Sequence, residues 1–259
     1  MDALTRVSDA NRQSWDPSGY NRNAGFVADY GADLLDEWFE PKPGMDVLDL
    51  GCGEGVLTAT IADKGANVIG LDFSHEQVEA ARARGLDARV GDGMALDFDA
   101  AFDAVFTNAA IHWMPDQAAV VAGVHRALRP GGLFVGEFGG FGNVAAITSA
   151  MCGVCEGMGG DPAPARANTF PTVEHWSRLL ERGGFAIERI VTFYRPTPLP
   201  TDIRGWLETF RGPFFQQFGT REGEAYDAVI RALEPTLRDE KGRWFADYVR
   251  LRFRAVRDG

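Results

Sequence analysis

The stretch that most constrains this chain is a short apolar run that breaks into three glycines at alternating positions. The run is 47–50, and the glycines are Gly51, Gly53 and Gly55. The apolar residues suit a buried strand, and the glycines allow a sharp turn and the close approach of bare backbone to a ligand. The apolar segment that starts at Val56 predicts a helix whose first N–H groups point at that ligand.

The spacing of the glycines separates this turn from two other nucleotide-binding motifs. The dinucleotide fingerprint has its third glycine three positions after the second. That position is Val56 here, because the third glycine is Gly55. A dehydrogenase is therefore disfavoured. No Gly-Lys-Ser or Gly-Lys-Thr follows the turn, which excludes a phosphate-binding P-loop.

A second predicted strand, 67–72, ends in the carboxylate of Asp72. An acidic side chain at this strand end can accept hydrogen bonds from both hydroxyls of a ribose. The combination of Asp49, the three glycines and Asp72 resembles the S-adenosylmethionine site of the class I methyltransferases. The resemblance continues in chain order: 72–74 is similar to the signature after the second strand, 90–94 to the adenine-binding turn, and 128–132 to the turn before the fifth strand.

This resemblance implies S-adenosyl-L-methionine as cofactor, S-adenosyl-L-homocysteine as product, and no metal. It implies that Asp72 binds the ribose, that Gly51 and Gly53 admit the methionine end, and that Asp92 with Met94 borders the adenine. The full implied set of cofactor-binding residues is Tyr20, Asp49, Gly51, Gly53, Asp72, Phe73, Asp92, Gly93, Met94 and Asn108.

The pattern and the resemblance together predict one class I methyltransferase domain over 1–259. Its fold class is α/β, with a seven-stranded, mostly parallel Rossmann-like sheet, helices on both faces and an antiparallel seventh strand. Aromatic residues at helical spacing predict two helices inserted between the sixth and seventh strands, and the segment 201–243 is interpreted as a helical cap. These aromatic residues could also simply form the core of the insert. Thr172 is predicted to cap one helix, and Asn143 another.

The segment 14–20, Ser-Trp-Asp-Pro-Ser-Gly-Tyr, resembles the opening of the trans-aconitate methyltransferases. In that family, N-terminal aromatic residues close over the methionine end of the cofactor. The resemblance implies that 15–40 is a cofactor-closing segment and that Tyr20 contacts the cofactor. The alternative is a packed N-terminal strap.

The fourth predicted strand, 102–107, leads into 108–116, which faces the transferred methyl group if the sheet binds its ligands at the carboxyl ends of its strands. This stretch is again similar to the trans-aconitate methyltransferases. It lacks the Asn-Pro-Pro-aromatic pattern of enzymes that methylate nucleobase amino groups. His112 is a candidate general base. The alternative is that His112 orients a loop or packs on Trp113, and relatives can have glutamine there.

The formal net charge of −11 disfavours nucleic acid as a substrate and indicates a small-molecule acceptor. The opening residues show no signal-peptide pattern, and no apolar run is long enough to span a membrane. Three cysteines, an odd number, favour reduced thiols. We therefore expect a cytoplasmic monomer or homodimer without a membrane partner.

Two types of methyl acceptor remain open. The resemblance implies carboxyl O-methylation of a small polyacid similar to trans-aconitate, and Arg195 and Arg211 suit carboxylate recognition. Aromatic residues such as Trp206 and Phe210 instead favour an apolar or aromatic metabolite, methylated on oxygen, nitrogen or carbon. A protein that binds an adenosyl ligand without catalysis is a third hypothesis. The candidate substrate residues are Trp113, Arg195, Trp206, Phe210 and Arg211.

Overall fold

A computed structural model of the protein describes Gly31 and residues 33–259. Within these residues, one sheet contains seven strands. The strands are β1 (Asp46–Leu50), β2 (Asn67–Asp72), β3 (Asp87–Val90), β4 (Phe102–Asn108), β5 (Leu128–Gly139), β6 (Phe185–Pro198) and β7 (Phe245–Arg257). The α-helices are α1 (Val56–Asp63), α2 (His75–Ala83), α3 (Gln117–Ala127), α4 (Ala145–Met158), α5 (Val173–Arg182), α6 (Ile203–Gln216) and α7 (Glu222–Leu237). A π-helical turn, Leu35–Phe39, precedes β1.

The strands lie in the order β3-β2-β1-β4-β5-β7-β6. β1 is parallel to both β2 and β4, β4 is parallel to β5, and β7 is antiparallel to β5. This arrangement confirms the predicted seven-stranded, mostly parallel sheet. The strand order reverses between β1 and β4, and open α/β sheets bind their ligands outside the carboxyl ends of the strands at such a point.

The described chain consists of two compact units. The first, called here the sheet unit, comprises Gly31, 33–143, Asn168–Arg195 and Val249–Gly259. The second, called here the helical unit, comprises Val144–Ala167 and Pro196–Tyr248.

The sheet unit buries apolar side chains on both faces of the sheet because successive strand residues point to opposite faces. Leu48 packs with Phe134 and Trp176 on one face. Val47 packs with Phe106 and with the π-helical turn on the other. Thr172 caps α5 as predicted, since its hydroxyl accepts a hydrogen bond from the N–H of His175 at 3.2 Å.

The prediction for Asn143 is wrong. Val144 occupies the N-cap position of α4, with a positive φ of 51°. The side-chain oxygen of Asn143 instead accepts a hydrogen bond from the N–H of Val249 at 3.0 Å. Asn143 therefore ties the segment after β5 to β7 and does not cap the helix that follows it.

The helical unit contains α4, α6 and α7. Two helices, α6 and α7, lie between β6 and β7 in the chain, as predicted, and both fall within the proposed cap at 201–243. Phe214 and Phe215 are buried and pack edge to face, and Phe215 also stacks on Tyr226 with 3.7 Å between ring centroids. Across Gly31 and 33–259, no helix combines the length and apolarity needed to cross a membrane.

Candidate active site

The glycine turn follows β1 directly, and its backbone requires glycine. Gly51 and Gly53 have φ values of 76° and 55°, in the left-handed region that side chains rarely adopt. A Cβ atom at Gly51 would lie 2.2 Å from the Cβ of Ala110, so this glycine also allows a close approach of the loop after β4. A Cβ atom at Gly53 would meet open space. Gly53 therefore presents backbone that a ligand can approach.

Asp72, at the end of β2, holds the glycine turn in place. One carboxylate oxygen accepts a hydrogen bond from the N–H of Gly53 at 2.9 Å, and the other accepts from the N–H of Ser74 at 2.9 Å. Burial raises the pKa of Asp72, although the N–H groups of Ser74 and Gly53 act in the opposite direction. The adjacent side chain of Phe73 is 55% exposed.

These features fit an adenosyl cofactor. The carboxylate of Asp72 is hydrogen-bonded to the turn at Gly53, where the backbone is open. A carboxylate has about four lone-pair positions, and the N–H groups of Ser74, Gly53 and Phe73 interact with it, so it can still accept a ligand hydroxyl. Gly55, at the N-cap of α1, has no side chain with which to cap that helix. The first N–H groups of α1 are thus suited to receive the polar end of a ligand.

Asp49 lies near the end of β1, two residues before Gly51, and its side chain is buried. Its carboxylate accepts a 2.6 Å hydrogen bond from the hydroxyl of Thr58 on α1. Burial raises the pKa of Asp49 to about 7, while the Thr58 hydrogen bond lowers it and the charge of Asp72 raises it further. Asp49 therefore joins β1 to α1 beneath the glycine turn.

The turn after β3 also meets β2. The N–H of Gly91 donates to the carbonyl of Asp72 at 2.9 Å, and the carboxylate of Asp92 accepts from the N–H of Met94 at 2.8 Å. A Cβ atom at Gly93 would lie 2.8 Å from the side chain of Met114. The predicted adenine-binding turn is therefore packed against both β2 and the loop after β4.

The end of β4 has a strained backbone. Asn108 pairs with Glu137 in the register of β4 and β5, and Ala109 follows with a φ of 57°. For a residue other than glycine, this backbone conformation is unfavourable by roughly 1 kcal/mol or more. Residues in such conformations occur often at functional sites. The N–H of Ala109 donates to the carbonyl of Glu137 at 2.7 Å, which fixes this turn against β5.

His112 lies on the 3-10 turn Ile111–Trp113, and its side chain is buried. Its ring packs between Trp113 and Phe170, with centroid distances of 5.5 and 5.6 Å. The N–H of Gly139 donates to Nδ1 of His112 at 3.4 Å, and the N–H of Thr169 donates to its backbone carbonyl at 3.0 Å. The backbone and the imidazole of His112 are thus both held in place.

The charged centre of the sheet unit is Glu137, which lies on β5 one strand away from Asn108. Oε1 of Glu137 contacts Nη1 of Arg195 at 2.8 Å and Nε of Arg250 at 3.0 Å. Oε2 contacts Nε and Nη2 of Arg252 at 2.7 and 2.6 Å. We call these four side chains the arginine cluster. The carboxylate is almost completely buried, and Arg250 and Arg252 are buried with it.

The protonation of the arginine cluster follows from its charges. Burial alone acts to raise the pKa of Glu137, but the charges of Arg250, Arg195 and Arg252 hold it below its usual range. Burial lowers the pKa of Arg195, against the attraction of Glu137. Three guanidinium groups and one carboxylate give these four side chains a formal surplus of two positive charges.

The other predicted substrate residues lie in the helical unit. The indole N–H of Trp206 donates to the hydroxyl of Tyr248 at 2.6 Å. The guanidinium of Arg211 lies 5.4 Å from the ring centroid of Trp206 and donates to the carbonyl of Phe210 at 2.8 Å. Burial lowers the pKa of Arg211 to about 10, while the hydroxyl of Tyr248 acts to raise it.

The structure also contains functional candidates that the motifs do not reveal. Glu137, Arg250 and Arg252 come from no recognised motif, yet they surround Arg195. The alternation of arginine with apolar residues at 250–254 places three arginines on one face of β7, and that pattern could have identified them. Tyr20 and most of the proposed closing segment 15–40 lie outside the described residues. No group of metal-ligating side chains occurs in the described part of the chain.

Known proteins similar to this chain are methyltransferases. Residues 48–136, which include the glycine turn and Asp72, match the family described as a methyltransferase domain. An uncharacterised methyltransferase of Schizosaccharomyces pombe is 36% identical over 257 residues, covering 94% of this chain and 98% of the relative. The trans-aconitate 2-methyltransferase of Deinococcus radiodurans is 33% identical over only 123 residues, 46% of this chain and 47% of that protein.

Solved structures show the same fold. A Bacillus halodurans protein described as a putative methyltransferase superposes with a TM-score of 0.63 at 18% identity, covering 88% of this chain and all of that one. The phosphoethanolamine N-methyltransferase 2 of Haemonchus contortus, solved with phosphomonomethylethanolamine and S-adenosylhomocysteine, gives 0.60 at 18% identity, with 93% and 57% coverage.

The reversed strand order, the glycine turn and the match over nearly the whole chain define a methyltransferase. The protein belongs to the class I S-adenosylmethionine-dependent methyltransferases. Its resemblance to trans-aconitate methyltransferases is limited to a distant match over about half of either chain.

Proposed function

We propose that this methyltransferase binds S-adenosyl-L-methionine at the glycine turn and methylates a small molecule on a carboxylate. The observation that carries the choice of acceptor is the arginine cluster, three guanidinium groups around one carboxylate beside the end of β4. The finer suggestion of a polyacid similar to trans-aconitate is supported by the name of one partial relative.

The cofactor is expected to lie against residues whose geometry suits it. Asp72 would accept the ribose hydroxyls, Gly51 and Gly53 would admit the methionine end, and Asp92 with Met94 would border the adenine. The hydrogen bond from Gly53 to Asp72 supports this assignment, because it orders the turn and the carboxylate together. When bound, S-adenosyl-L-methionine supplies an electrophilic methyl group.

For methyl transfer, the protein must bind the acceptor, align it with the methyl group and keep its reacting atom nucleophilic. A carboxylate is nucleophilic as it arrives, so the protein has to supply cations and alignment more than proton removal. Each guanidinium has five N–H donors, whereas one carboxylate offers about four lone-pair positions. In this proposal the acceptor carboxylate would bind the guanidinium groups beside Glu137, since one guanidinium can contact more than one carboxylate.

The position of the arginine cluster agrees with this role. Glu137 pairs with Asn108, and its carbonyl accepts the N–H of Ala109, so the cluster lies beside the loop that faces the transferred methyl group in an open α/β sheet. Arg252 holds one oxygen of Glu137, Oε2, with two nitrogens, and arginine is the side chain best suited to binding carboxylates.

Most aromatic residues of the helical unit pack against one another, so they give only weak support to an apolar acceptor. Phe214 packs against Phe215 and Phe218, and Phe215 stacks on Tyr226. These contacts account for most of the aromatic stripe as the interior of the unit. Trp206 and Phe210 are left to support the alternative of an apolar or aromatic metabolite.

A fractionated product screen tests the acceptor. A metabolite extract is separated by anion exchange, each fraction is incubated with the protein and labelled S-adenosyl-L-methionine, and products that gain one methyl group are found by mass. We expect the acceptor in the retained, anionic fractions and a product that mild alkali hydrolyses. An alkali-stable product from the unretained fractions would contradict a carboxylate acceptor.

Two matched variants test whether the arginine cluster binds the acceptor. Arg252→Gln removes one of the three guanidinium groups, whereas Arg254→Gln changes the same strand face at a residue that pairs with the exposed Glu188. We expect Arg252→Gln to raise the KM for the acceptor about tenfold or more, because a charge-assisted hydrogen bond is lost. Arg254→Gln should leave it nearly unchanged. Affinity for S-adenosylhomocysteine checks that both variants keep the cofactor site.

A further inference from the structure

Two aromatic rings lie against guanidinium groups of the arginine cluster. The guanidinium carbon of Arg195 is 4.8 Å from the ring centroid of Phe193, and that of Arg252 is 5.4 Å from the same centroid. The guanidinium carbon of Arg252 also lies 5.5 Å from the ring centroid of Trp38. These distances are within the roughly 6 Å at which an aromatic ring attracts a cation. Two arginines of the cluster therefore share the ring of Phe193.

Strand alternation and strand order bring Phe193 to this position. Phe193 and Arg195 are two residues apart on β6, so their side chains point to the same face of the sheet. Arg252 comes from β7, which is a neighbour of β6 in the sheet. All of these residues belong to the sheet unit. One ring on β6 thus reaches an arginine on its own strand and an arginine on the next strand.

The three arginines of the cluster repel one another. Burial lowers the pKa of Arg195, and the charges of Arg250 and Arg252 lower it further, because like charges are held close together. Glu137 supplies one negative charge to three guanidinium groups. The remaining repulsion favours separation of the arginines, so a second attraction is needed to keep them in one arrangement.

An aromatic ring can supply that attraction without occupying the place of the acceptor. Its face carries partial negative charge, but the ring has no net charge. A second protein carboxylate would cancel the positive charge of the cluster and take up its N–H donors. The ring of Phe193 instead restricts two guanidinium groups while their positive charge is retained for an anion.

We propose that Phe193 is a positioning residue of the acceptor site: its ring holds Arg195 and Arg252 together in the orientation that binds the acceptor carboxylate. This role rests on the proposed carboxylate methylation. Phe193 acts through the two arginines and has no part in the chemical step. The effect of a substitution therefore depends on whether residue 193 carries a ring, and not on its volume.

Three variants separate the ring from its volume. Phe193→Leu keeps an apolar side chain but removes the ring, whereas Phe193→Tyr keeps the ring. Tyr194→Leu is the control, because Tyr194 is the next residue on β6, points to the opposite face of the sheet and is 62% exposed. Thermal unfolding with and without S-adenosylhomocysteine establishes that each variant is folded and retains its cofactor site.

Hydrogen exchange of the Arg252 side chain measures the positioning without any acceptor. Its Nε–H donates to Oε2 of Glu137 at 2.7 Å, so its ¹H–¹⁵N signal exchanges slowly with solvent while the guanidinium stays in place. Loss of one signal in Arg252→Gln assigns it. We expect Phe193→Leu to accelerate this exchange about tenfold, and Phe193→Tyr and Tyr194→Leu to leave it within about twofold. An unchanged rate in Phe193→Leu, or an equal acceleration in Phe193→Tyr, would overturn the proposal.

Kinetics with the acceptor found in the fractionated screen measure the consequence for binding. Phe193→Leu should raise the KM for the acceptor about tenfold and change kcat by less than about twofold, because it weakens binding and leaves the chemical step intact. Phe193→Tyr and Tyr194→Leu should keep the KM of the native protein. A loss of kcat at unchanged KM in Phe193→Leu would contradict a role in holding the arginines for the acceptor.

The two measurements separate this proposal from the proposed function. A neutral acceptor in the screen would overturn the carboxylate assignment, and with it the role of Phe193 in acceptor binding. An anionic acceptor together with an unchanged exchange rate in Phe193→Leu would overturn the role of Phe193 alone.

Discussion

The two parts of the sheet's carboxyl edge are built from very different stretches of sequence. At β1 and β2, the glycine turn and Asp72 come from one short segment, and the backbone of the turn bonds directly to the carboxylate. At β4 and β5, Glu137 is contacted by Arg195, Arg250 and Arg252, which come from β6 and β7. We call the first part the cofactor side and the second the acceptor side, after the ligands proposed to bind there. The cofactor side is local in sequence, and the acceptor side is assembled by the fold.

This difference has a physical consequence. A local turn keeps its shape through its own φ angles and short hydrogen bonds, so it depends little on the rest of the protein. The arginine cluster exists only when three strands are in register, and it keeps like charges together in a buried place. Its stability should therefore be more sensitive to a single substitution than that of the glycine turn.

The largest expected effect is the loss of the central carboxylate. Glu137→Gln keeps the size of the side chain but leaves three partly or fully buried arginines without their common anion. Removing one partner of a buried ion pair costs about 3 to 5 kcal/mol. Chemical denaturation should show a decrease of this size in the free energy of unfolding.

Glu188→Gln is the matched control, because Glu188 pairs with Arg254 but about half of its side chain is exposed. An exposed ion pair contributes about 1 kcal/mol or less, so this variant should change stability little. If both variants lose the same small amount, the arginine cluster is not the sensitive part of the sheet edge.

The second prediction concerns the cofactor side and pH. Burial raises the pKa of Asp49 to about 7, above the value of about 3.9 for an unfolded chain. Between these values the folded state holds a proton that the unfolded state has lost. The contribution of Asp49 to the free energy of unfolding therefore falls as pH rises from about 4 to about 7, by an amount on the order of a few kcal/mol.

Asp49→Asn isolates this contribution because asparagine does not titrate and can still accept the hydrogen bond from Thr58. The stability of the variant relative to the native protein should rise from pH 4 to pH 7 and then level off. Asp87→Asn is the control: Asp87 is exposed, and its hydrogen bond with Arg89 lowers its pKa, so the relative stability should stay flat over this range. A flat difference for Asp49→Asn would show that its carboxylate is not the titrating group.

These cases show which features the sequence could predict. Strands and helices follow from apolar periodicity, and the glycine turn has an explicit signature because its φ angles exclude other residues. Arg195 was predicted from its place near the inserted helices, but its actual partner is Glu137. That pairing depends on the register of β5, β6 and β7, which no local pattern encodes.

Asn143 illustrates the same limit at one residue. Its place just before a helix predicted a cap, because asparagine is favoured at that position. In the structure, the side-chain oxygen of Asn143 instead accepts a hydrogen bond from the N–H of Val249, which lies more than a hundred residues away in the sequence. A tertiary contact of this kind overrides a local preference whenever the fold brings a buried donor into reach.

The third prediction tests the ribose assignment. Asp72→Ala removes the expected acceptor of the ribose hydroxyls together with the acceptor for the N–H of Gly53. The loss of a charged acceptor should weaken S-adenosylhomocysteine binding by about 1.5 to 3 kcal/mol, which calorimetry measures directly. Asp87→Ala, at the start of the neighbouring strand β3, should bind normally. Unchanged affinity in Asp72→Ala would remove Asp72 from the cofactor site.

The smallest expected change in stability concerns the backbone conformation of the two sides. The cofactor side uses glycine wherever φ is positive, at Gly51, Gly53 and Gly55, whereas the acceptor side has Ala109 at a φ of 57°. Ala109→Gly should relieve this strain and raise the free energy of unfolding by up to about 1 kcal/mol, after the entropy cost of glycine is included. Thermal unfolding with and without S-adenosylhomocysteine measures it.

Ala110→Gly provides a control of the opposite sign. Ala110 has a φ of −110°, and its Cβ occupies the space against Gly51. Glycine there brings no relief of strain and should lower the free energy of unfolding by about 0.5 to 1 kcal/mol.

Ala109→Gly should also affect the rate. Because the N–H of Ala109 donates to the carbonyl of Glu137, a relaxed turn would loosen the loop that carries His112. We therefore expect Ala109→Gly to be more stable yet slower in methyl transfer, and a variant that is both more stable and equally fast would show that the strain at Ala109 has no part in positioning the acceptor.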